Sequence, residues 1–205
     1  ADALAGLRPG LLKDLEKYPD YKILDGKFTA VQQAIGCNKP ATEGARYIAA
    51  FVENAKKSGL VASLIAKHKL VLATGHTAPA EALLLLEEGR RAGVRAMVVT
   101  HAMNAPVLMT VPQMQQAARL GAMIEFVGGS MRDSDADARV TRFADAIHTI
   151  GPASCILSSD LGQANNPVPP DGFGAFLSAL RAKGIADSGI DRMAKQNPAR
   201  LLGLN

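Results

Sequence analysis

The stretch that most constrains this chain runs from residue 71 to residue 101 and reads VLATGHTAPAEALLLLEEGRRAGVRAMVVTH. Its first residues, 71–74, are a short apolar run bounded by glycine, which predicts a strand buried on both faces. Pro79 predicts the first turn of a helix because it has no amide hydrogen to lose there, and Leu83–Leu86 predict the buried stripe of that helix. A second apolar run at 96–100 completes a strand–helix–strand unit.

A polar residue that can bind a metal or a proton follows three of the predicted strands. His76 and His101 come after the first two strands and lie 25 residues apart. Further strands are predicted at 122–127 and 154–159, and the second of these ends in Asp160. Strands that alternate with helices pair in parallel through right-handed crossovers, so their carboxyl ends share one edge of the sheet. We therefore expect the two histidines and the aspartate to converge.

The helices between these strands carry their own boundary signals. Thr110 and Gln113 have capping-box spacing at the start of a helix over 111–120, and a further helix is predicted over 135–150 before Gly151. These features predict an α/β protein with a parallel sheet and flanking helices. Both barrels and open α/β sheets place their chemistry at the carboxyl ends of such strands, so the two architectures remain alternatives at this point.

Charge, hydropathy and cysteine content limit the kinds of partner and site that the sequence predicts. The net charge is +4, with Lys and Arg scattered along the chain, so nothing predicts a nucleic-acid surface. No apolar run reaches the length of about 18–20 residues that a bilayer span requires, so no membrane span is expected. Cys37 and Cys155 fit no metal or redox motif, and two buried free thiols are favoured over a disulfide.

Residues 1–69 differ from the rest of the chain in their pattern of apolar and polar residues, and they predict a smaller α/β segment. The expected strands are 3–7, 21–24 and 31–36, and the expected helices are a polar one up to Lys17, then 41–57 and 60–69. The predicted buried stripes are Ile48, Phe51, Val52 and Ala55 in the first long helix, and Leu60, Leu64 and Ile65 in the second.

Three stretches of this segment, ADALAGLRPGLL, ILDGKFTAVQQAIGCNKP and SGLVASLIAKHKL, resemble the closing portion of periplasmic solute-binding proteins of ABC transporters. The resemblance covers about a third of the chain and implies a periplasmic protein that binds a small solute of the amino-acid kind. The lobe that carries most ligand contacts in that family has no counterpart here, so the resemblance assigns no binding residue.

Residues 70–205 resemble the second half of a metal-dependent hydrolase of the amidohydrolase superfamily. The motifs are TGH, VVTH and SSDLG at successive strand ends and the terminal NPARLLGL. The resemblance implies half of a (β/α)8 barrel in which His76 and His101 are metal ligands. It implies that Asp160 both binds the metal and, as the catalytic residue, handles the proton of the attacking water. The implied cofactor is a divalent metal, zinc above others, and the implied substrate is a small molecule with an amide, ester or related bond.

The chain departs from that family in two respects: it has no HxH motif and no first half of a barrel. The sequence thus predicts a join near residues 67–70 between a solute-binding-like segment, 1–69, and a hydrolase-like half-barrel, 70–205. A natural fusion, a constructed chimera and a strongly diverged sequence are all consistent with such a join. A cytoplasmic hydrolase, a periplasmic binding protein and a catalytically silent chimera are the three functional alternatives. Unpaired edges of a half-barrel would be covered by the strands of residues 1–36 or by a second copy of the chain.

The histidines of the candidate site have a second interpretation that involves no metal. Two imidazoles, one carboxylate and an open water position suit a catalytic zinc, whereas histidines at strand ends also serve as hydrogen-bonding caps. Glu125 lies inside an apolar strand, so it either faces the site or requires a buried partner.

Overall fold

The computed structural model describes residues 3–7, 20–23, 33–38, 42–129, 131–163 and 165–204. The chain divides into two compact units, residues 1–68 and 69–205. The helix predicted up to Lys17 lies outside the described residues. The assignment of the two parts of the chain to two different families stays a prediction.

The first unit contains a three-stranded antiparallel sheet and two helices. Its strands are β1 (Ala3–Leu7), β2 (Tyr21–Ile23) and β3 (Gln33–Asn38), in the order β1-β3-β2, and its helices are α1 (Thr42–Lys57) and α2 (Leu60–Lys67). Within the described residues these strands pair only with one another.

The buried stripes predicted for this unit are wrong in part. Helix α1 buries Ala45, Val52 and Ala55, whereas Phe51 is 45% exposed. The three buried residues recur at helical spacing along one narrow stripe, and Phe51 stands about 100° away from its neighbour Val52 around the helix. Leu60 and Leu64 of α2 are also exposed.

The second unit is built on a four-stranded parallel sheet, as the alternation of strands and helices predicts. Its strands are β4 (Val71–Ala73), β5 (Ala96–Val99), β6 (Met123–Val127) and β7 (Cys155–Ser158), in the order β4-β5-β6-β7. All three pairings are parallel. The helices are α3 (Pro79–Arg91), α4 (Val111–Arg119), α5 (Ala136–Ile150), α6 (Pro169–Ala182), α7 (Asp187–Asp191) and α8 (Asn197–Leu202), with a π-helical turn over Arg192–Gln196 before α8.

The helix boundaries follow the signals in the sequence. The Gln113 side chain accepts hydrogen bonds from the backbone N–H and the hydroxyl of Thr110, both at 2.9 Å. Helix α5 ends at Gly151, whose φ is 90°. Among the helices of the described ranges, none combines the length and apolar character needed to cross a membrane.

Two burial predictions fail near β4. Val71 and Leu72 are half-buried and Ala73 is exposed, because β4 is an edge strand of the described sheet instead of a central one. In α3 the buried residues are Ala82, Leu86 and Gly89, and Leu84 is exposed. Four consecutive residues spread over about 300° of a helix, so the leucine run cannot face the core as a whole.

The two faces of the parallel sheet bury different layers. On one face Phe126 of β6 packs against Phe143 of α5, with ring centroids 5.4 Å apart, and Phe143 contacts Phe176 of α6 at 6.2 Å. Met123 lies three residues before Phe126 and therefore points to the opposite face. There Val98, Met123 and Ile156 form a second cluster, against which Val71 and Leu201 pack.

Asn197 attaches the C-terminal helix α8 to the start of β7. Its side chain is 2% exposed and donates hydrogen bonds to the backbone oxygens of Pro152 (2.8 Å) and Cys155 (2.7 Å). These two bonds place Leu201, one turn further along, against the cluster on that face of the sheet. The asparagine of the terminal NPARLLGL motif therefore has a structural role.

Cys155 is a free, buried thiol at the start of β7, and burial raises its pKa from 9.0 to about 12. In a Cys37→Ser background, which removes the other cysteine, we expect a disulfide reagent at pH 8 to leave the folded protein unmodified. Labelling rates measured across a denaturant series report how often the sheet opens. Rapid, complete labelling at pH 8 without denaturant would contradict the burial of this thiol.

The same shift predicts how stability depends on alkaline pH. The folded protein holds the thiol proton more tightly than the unfolded chain does. The stabilisation that comes from the protonated thiol is therefore fully present below about pH 9 and is lost as the pH rises towards 12. In a Cys155→Ala variant the free energy of unfolding should fall less between pH 8 and pH 10 than in the wild type. Urea titrations across this pH range measure the difference.

Candidate metal site at the strand ends

The four parallel strands leave the sheet through the same kind of turn. The second residue after each strand has a positive φ: Gly75 (63°), His101 (51°), Gly129 (60°) and Asp160 (50°). Glycine adopts this conformation freely, while histidine and aspartate do so at a cost. Backbone strain of this kind clusters at functional sites, so the two residues that carry a side chain here are candidates for function.

The first three of these turns are each tied to the next strand along the sheet. The backbone N–H groups donate from Gly75 to Thr100 Oγ1 (3.2 Å), from His101 to Glu125 Oε2 (3.0 Å) and from Gly129 to the Ser159 carbonyl oxygen (3.0 Å). The strand ends therefore form a connected rim whose backbone is fixed by hydrogen bonds.

The pairing register brings His76 beside His101. Val71 pairs with Ala96, so residues 25 apart in β4 and β5 lie side by side, and the two histidines have that spacing. Their ring centroids are 4.7 Å apart with the planes at 87°. That separation equals one inter-strand spacing, as expected for side chains at the same level of adjacent strands.

Asp160 approaches His101 from the other side. The distance between His101 Nε2 and Asp160 Oδ2 is 3.9 Å, and the side chains are 18% and 51% exposed. His101 thus lies between His76 and Asp160, and all three residues predicted from the sequence occupy one edge of the sheet. His76 is exposed.

The donor chemistry fits a divalent cation, but the three side chains do not form a closed set of ligands. Two donors on one tetrahedral zinc stand roughly 3.3 Å apart, a little closer than the pair His101 and Asp160. Within the described ranges, no group of three or more His, Cys, Asp or Glu side chains is arranged to hold a metal ion. A closed set would require rotation of His76 and Asp160, which costs little for exposed side chains.

Residues that the sequence did not single out also shape the rim. Thr74 is fully buried, and its Oγ1 accepts the backbone N–H of Thr100 at 3.2 Å. Thr100 in turn accepts the N–H of Gly75, so the two hydroxyls link β4 to β5 beyond the last paired residues. The recurrence of threonine directly before the GH and H positions was the signal available for this link.

An ion pair fixes the connection that follows β6. Arg139 donates to both carboxylate oxygens of Asp133 at 3.0 Å and to the Gly128 carbonyl oxygen at 3.4 Å. These hydrogen bonds from Arg139 are the main reason that the pKa of Asp133 lies below its usual value. The other two histidines, His68 and His148, are exposed, and neither belongs to the rim.

Comparison with known protein families covers part of the chain. A family of unknown function, DUF6282, matches residues 29–125, which is less than half of the chain. The matched stretch includes His76, His101 and Glu125 and ends before Asp160. It also runs across the boundary between the two compact units. No curated protein and no solved structure matches the chain.

Proposed function

We propose that the chain is part of a metal-dependent hydrolase of the amidohydrolase type, in which water attacks an amide, ester or related bond of a small molecule. The observation that carries the proposal is the position of His101, 4.7 Å from His76 by ring centroids and 3.9 Å from the Asp160 carboxylate. His76, His101 and Asp160 would hold the ion. A bound zinc or similar ion would supply Lewis acidity, which lowers the pKa of water towards roughly 7.

The order of the strands supports the half-barrel part of the proposal. In the order β4-β5-β6-β7 every crossover steps in the same direction, and right-handed crossovers of that kind put all their helices on one face. Accordingly α3 packs against α4, α4 against α5 and α5 against α6. A doubly wound sheet reverses its strand order and covers both faces with crossover helices, so the crossovers favour the barrel type. Helix α8, which is not a crossover helix, packs on the opposite face through Leu201.

The match to a single family across residues 29–125 favours a natural sequence over a constructed chimera. That stretch contains the predicted join at residues 67–70, which a recent artificial fusion would not share with a family. The interpretation of residues 1–69 as part of a solute-binding protein has no comparable support.

The protein side of the chemistry centres on Asp160. Its carboxylate is half exposed, so it can reach both the attacking water and a substrate above the rim. In this proposal Asp160 accepts the proton of the water, and His101 lies beside it with the more buried side chain. His76 is the other exposed member of the site.

Zinc binding tests the proposal. We expect the purified protein to hold close to one zinc per chain, measured by elemental analysis after desalting. We also expect the double variant His76→Ala/His101→Ala to bind at least 100-fold more weakly, because two of the three ligands are gone. The matched control is His68→Ala/His148→Ala, which removes the same number of imidazoles at exposed positions away from the rim and should bind as the wild type does.

Three other results would contradict the proposal. A zinc content below 0.1 per chain, or an equal loss of zinc affinity in both double variants, would contradict the proposed metal site. Absence of zinc together with thermal stabilisation by amino acids or carboxylates would favour a solute-binding protein. If neither zinc nor a solute has an effect, a catalytically silent scaffold is left.

The prediction that copies associate through the edges of β4 and β7 is tested separately by sedimentation.

A further inference from the structure

Glu125 is an acidic residue in the middle of an apolar strand. Its neighbours Ile124 and Phe126 are fully buried, and Glu125 itself is half-buried. Its carboxylate Oε2 accepts the backbone N–H of His101 at 3.0 Å, and its backbone oxygen accepts the N–H of Ala102 at 3.2 Å. One residue of β6 therefore holds two consecutive N–H groups at the end of β5.

The hydrogen bond from His101 differs from the equivalent ones along the rim. Gly75 donates to a hydroxyl and Gly129 to a backbone carbonyl, and both are glycines that adopt a positive φ without strain. His101 has a φ of 51° and donates to a carboxylate. A side chain of β6 thus supports a strained turn that carries a candidate ligand.

The backbone turn decides where the imidazole of His101 lies. A residue in the left-handed region directs its Cα–Cβ bond differently from one in an extended strand, so relaxation of the turn would move the ring away from its neighbours. The ring now stands between His76 and Asp160. Any nearby hydrogen-bond donor could have satisfied the half-buried carboxylate of Glu125. The donor that does so is the backbone N–H of His101.

We propose that Glu125 is a positioning residue that holds His101 in its left-handed turn and so presents the imidazole to the candidate metal site. The part that concerns metal affinity rests on the proposed function, while the part that concerns the turn does not. Glu125 acts through the His101 backbone and makes no contact with the ion in this proposal.

The test compares three variants with the wild type by two measurements: zinc affinity by competition with a chromophoric chelator, and hydrogen exchange of the His101 amide in the metal-free protein. Glu125→Ala removes the acceptor. It should weaken zinc binding about 10–100-fold, as loss of an outer partner of a ligand does, and should speed exchange at His101 at least about tenfold. Glu125→Gln keeps an oxygen acceptor and should stay within about threefold of the wild type in both. Should the alanine variant fail to fold, Glu125→Asp replaces it, with the carboxylate withdrawn by one methylene.

Ile156→Val is the matched control. Ile156 pairs with Glu125 across β6 and β7, so its truncation loosens the same level of the sheet without touching the His101 N–H. We expect wild-type zinc affinity and wild-type exchange at His101. Equal effects in Ile156→Val and Glu125→Ala would overturn the proposal, as would an equal loss in Glu125→Gln and Glu125→Ala.

The two parts of the proposal fail separately. If the wild-type protein binds no zinc, the proposed function fails, and the His101 exchange rate still decides the role of Glu125. Exchange that stays at the wild-type rate in Glu125→Ala overturns the inference. Faster exchange at His101 and Ala102, with the rest of the sheet unchanged, sustains it.

Discussion

Replacement of Phe143 by alanine is expected to lower the free energy of unfolding of the second unit by about 3–5 kcal/mol. Phe143 is 1% exposed and joins two elements, since its ring contacts Phe126 in β6 and Phe176 in α6. Truncation leaves a cavity at the centre of this aromatic layer. The loss is large beside a total stability of about 5–15 kcal/mol for a typical domain.

The thiol of Cys155 provides a local measurement of this effect, because it is buried in the same sheet. In a Cys37→Ser background, Phe143→Ala should raise the labelling rate of Cys155 in proportion to the population of the open state. Asp145→Ala, an exposed change on the same helix, should alter the stability by no more than about 0.5 kcal/mol. Equal labelling rates in the two variants would show that the aromatic layer does not hold this unit together.

Asn197→Asp is the second change with a large expected effect, a loss of about 3–5 kcal/mol at pH 7. The substitution keeps the size of the side chain but removes the N–H groups that bind Pro152 and Cys155. It also sets a buried negative charge against two carbonyl oxygens. Unfolding in urea, followed by circular dichroism, measures the loss.

A pH series separates the charge from the shape of the side chain. The buried aspartate would have a raised pKa, so the folded state would bind its proton more tightly than the unfolded chain, and the loss should shrink as the pH falls from 7 towards 4. Gln116→Glu makes the same amide-to-carboxylate change at an exposed position of α4 and should cost less than about 1 kcal/mol. A loss in Asn197→Asp that does not vary with pH would exclude the burial of an ionised group as its cause.

Much of the second unit could be predicted from its sequence, because its signals are local. Apolar runs of four to six residues, followed by histidine, glycine or aspartate, correspond to β5, β6 and β7, and Pro79 and Thr110 mark helix starts. The proximity of His76, His101 and Asp160 follows from parallel pairing, in which every strand end reaches the same edge.

Other features depend on contacts that the sequence does not reveal. The exposure of Ala73 is decided by the edge position of β4, which is a property of strand order. Glu125 was recognisable as a residue in need of a partner, but the partner is a backbone N–H, which every residue except proline possesses. The positive φ of His101 and Asp160 was equally hidden, since glycine is the usual signal for such a turn.

The repeated turn at the strand ends has a consequence for the number of ligands that this edge can offer. Gly129 has the same backbone conformation as His101 and Asp160, and a Cβ placed on it would meet nothing within 4 Å. An aspartate or asparagine there would add an oxygen donor to the edge at a backbone cost of roughly 1–2 kcal/mol. One substitution can thus add an oxygen donor to the sheet edge, with the hydrophobic layers beneath left as they are.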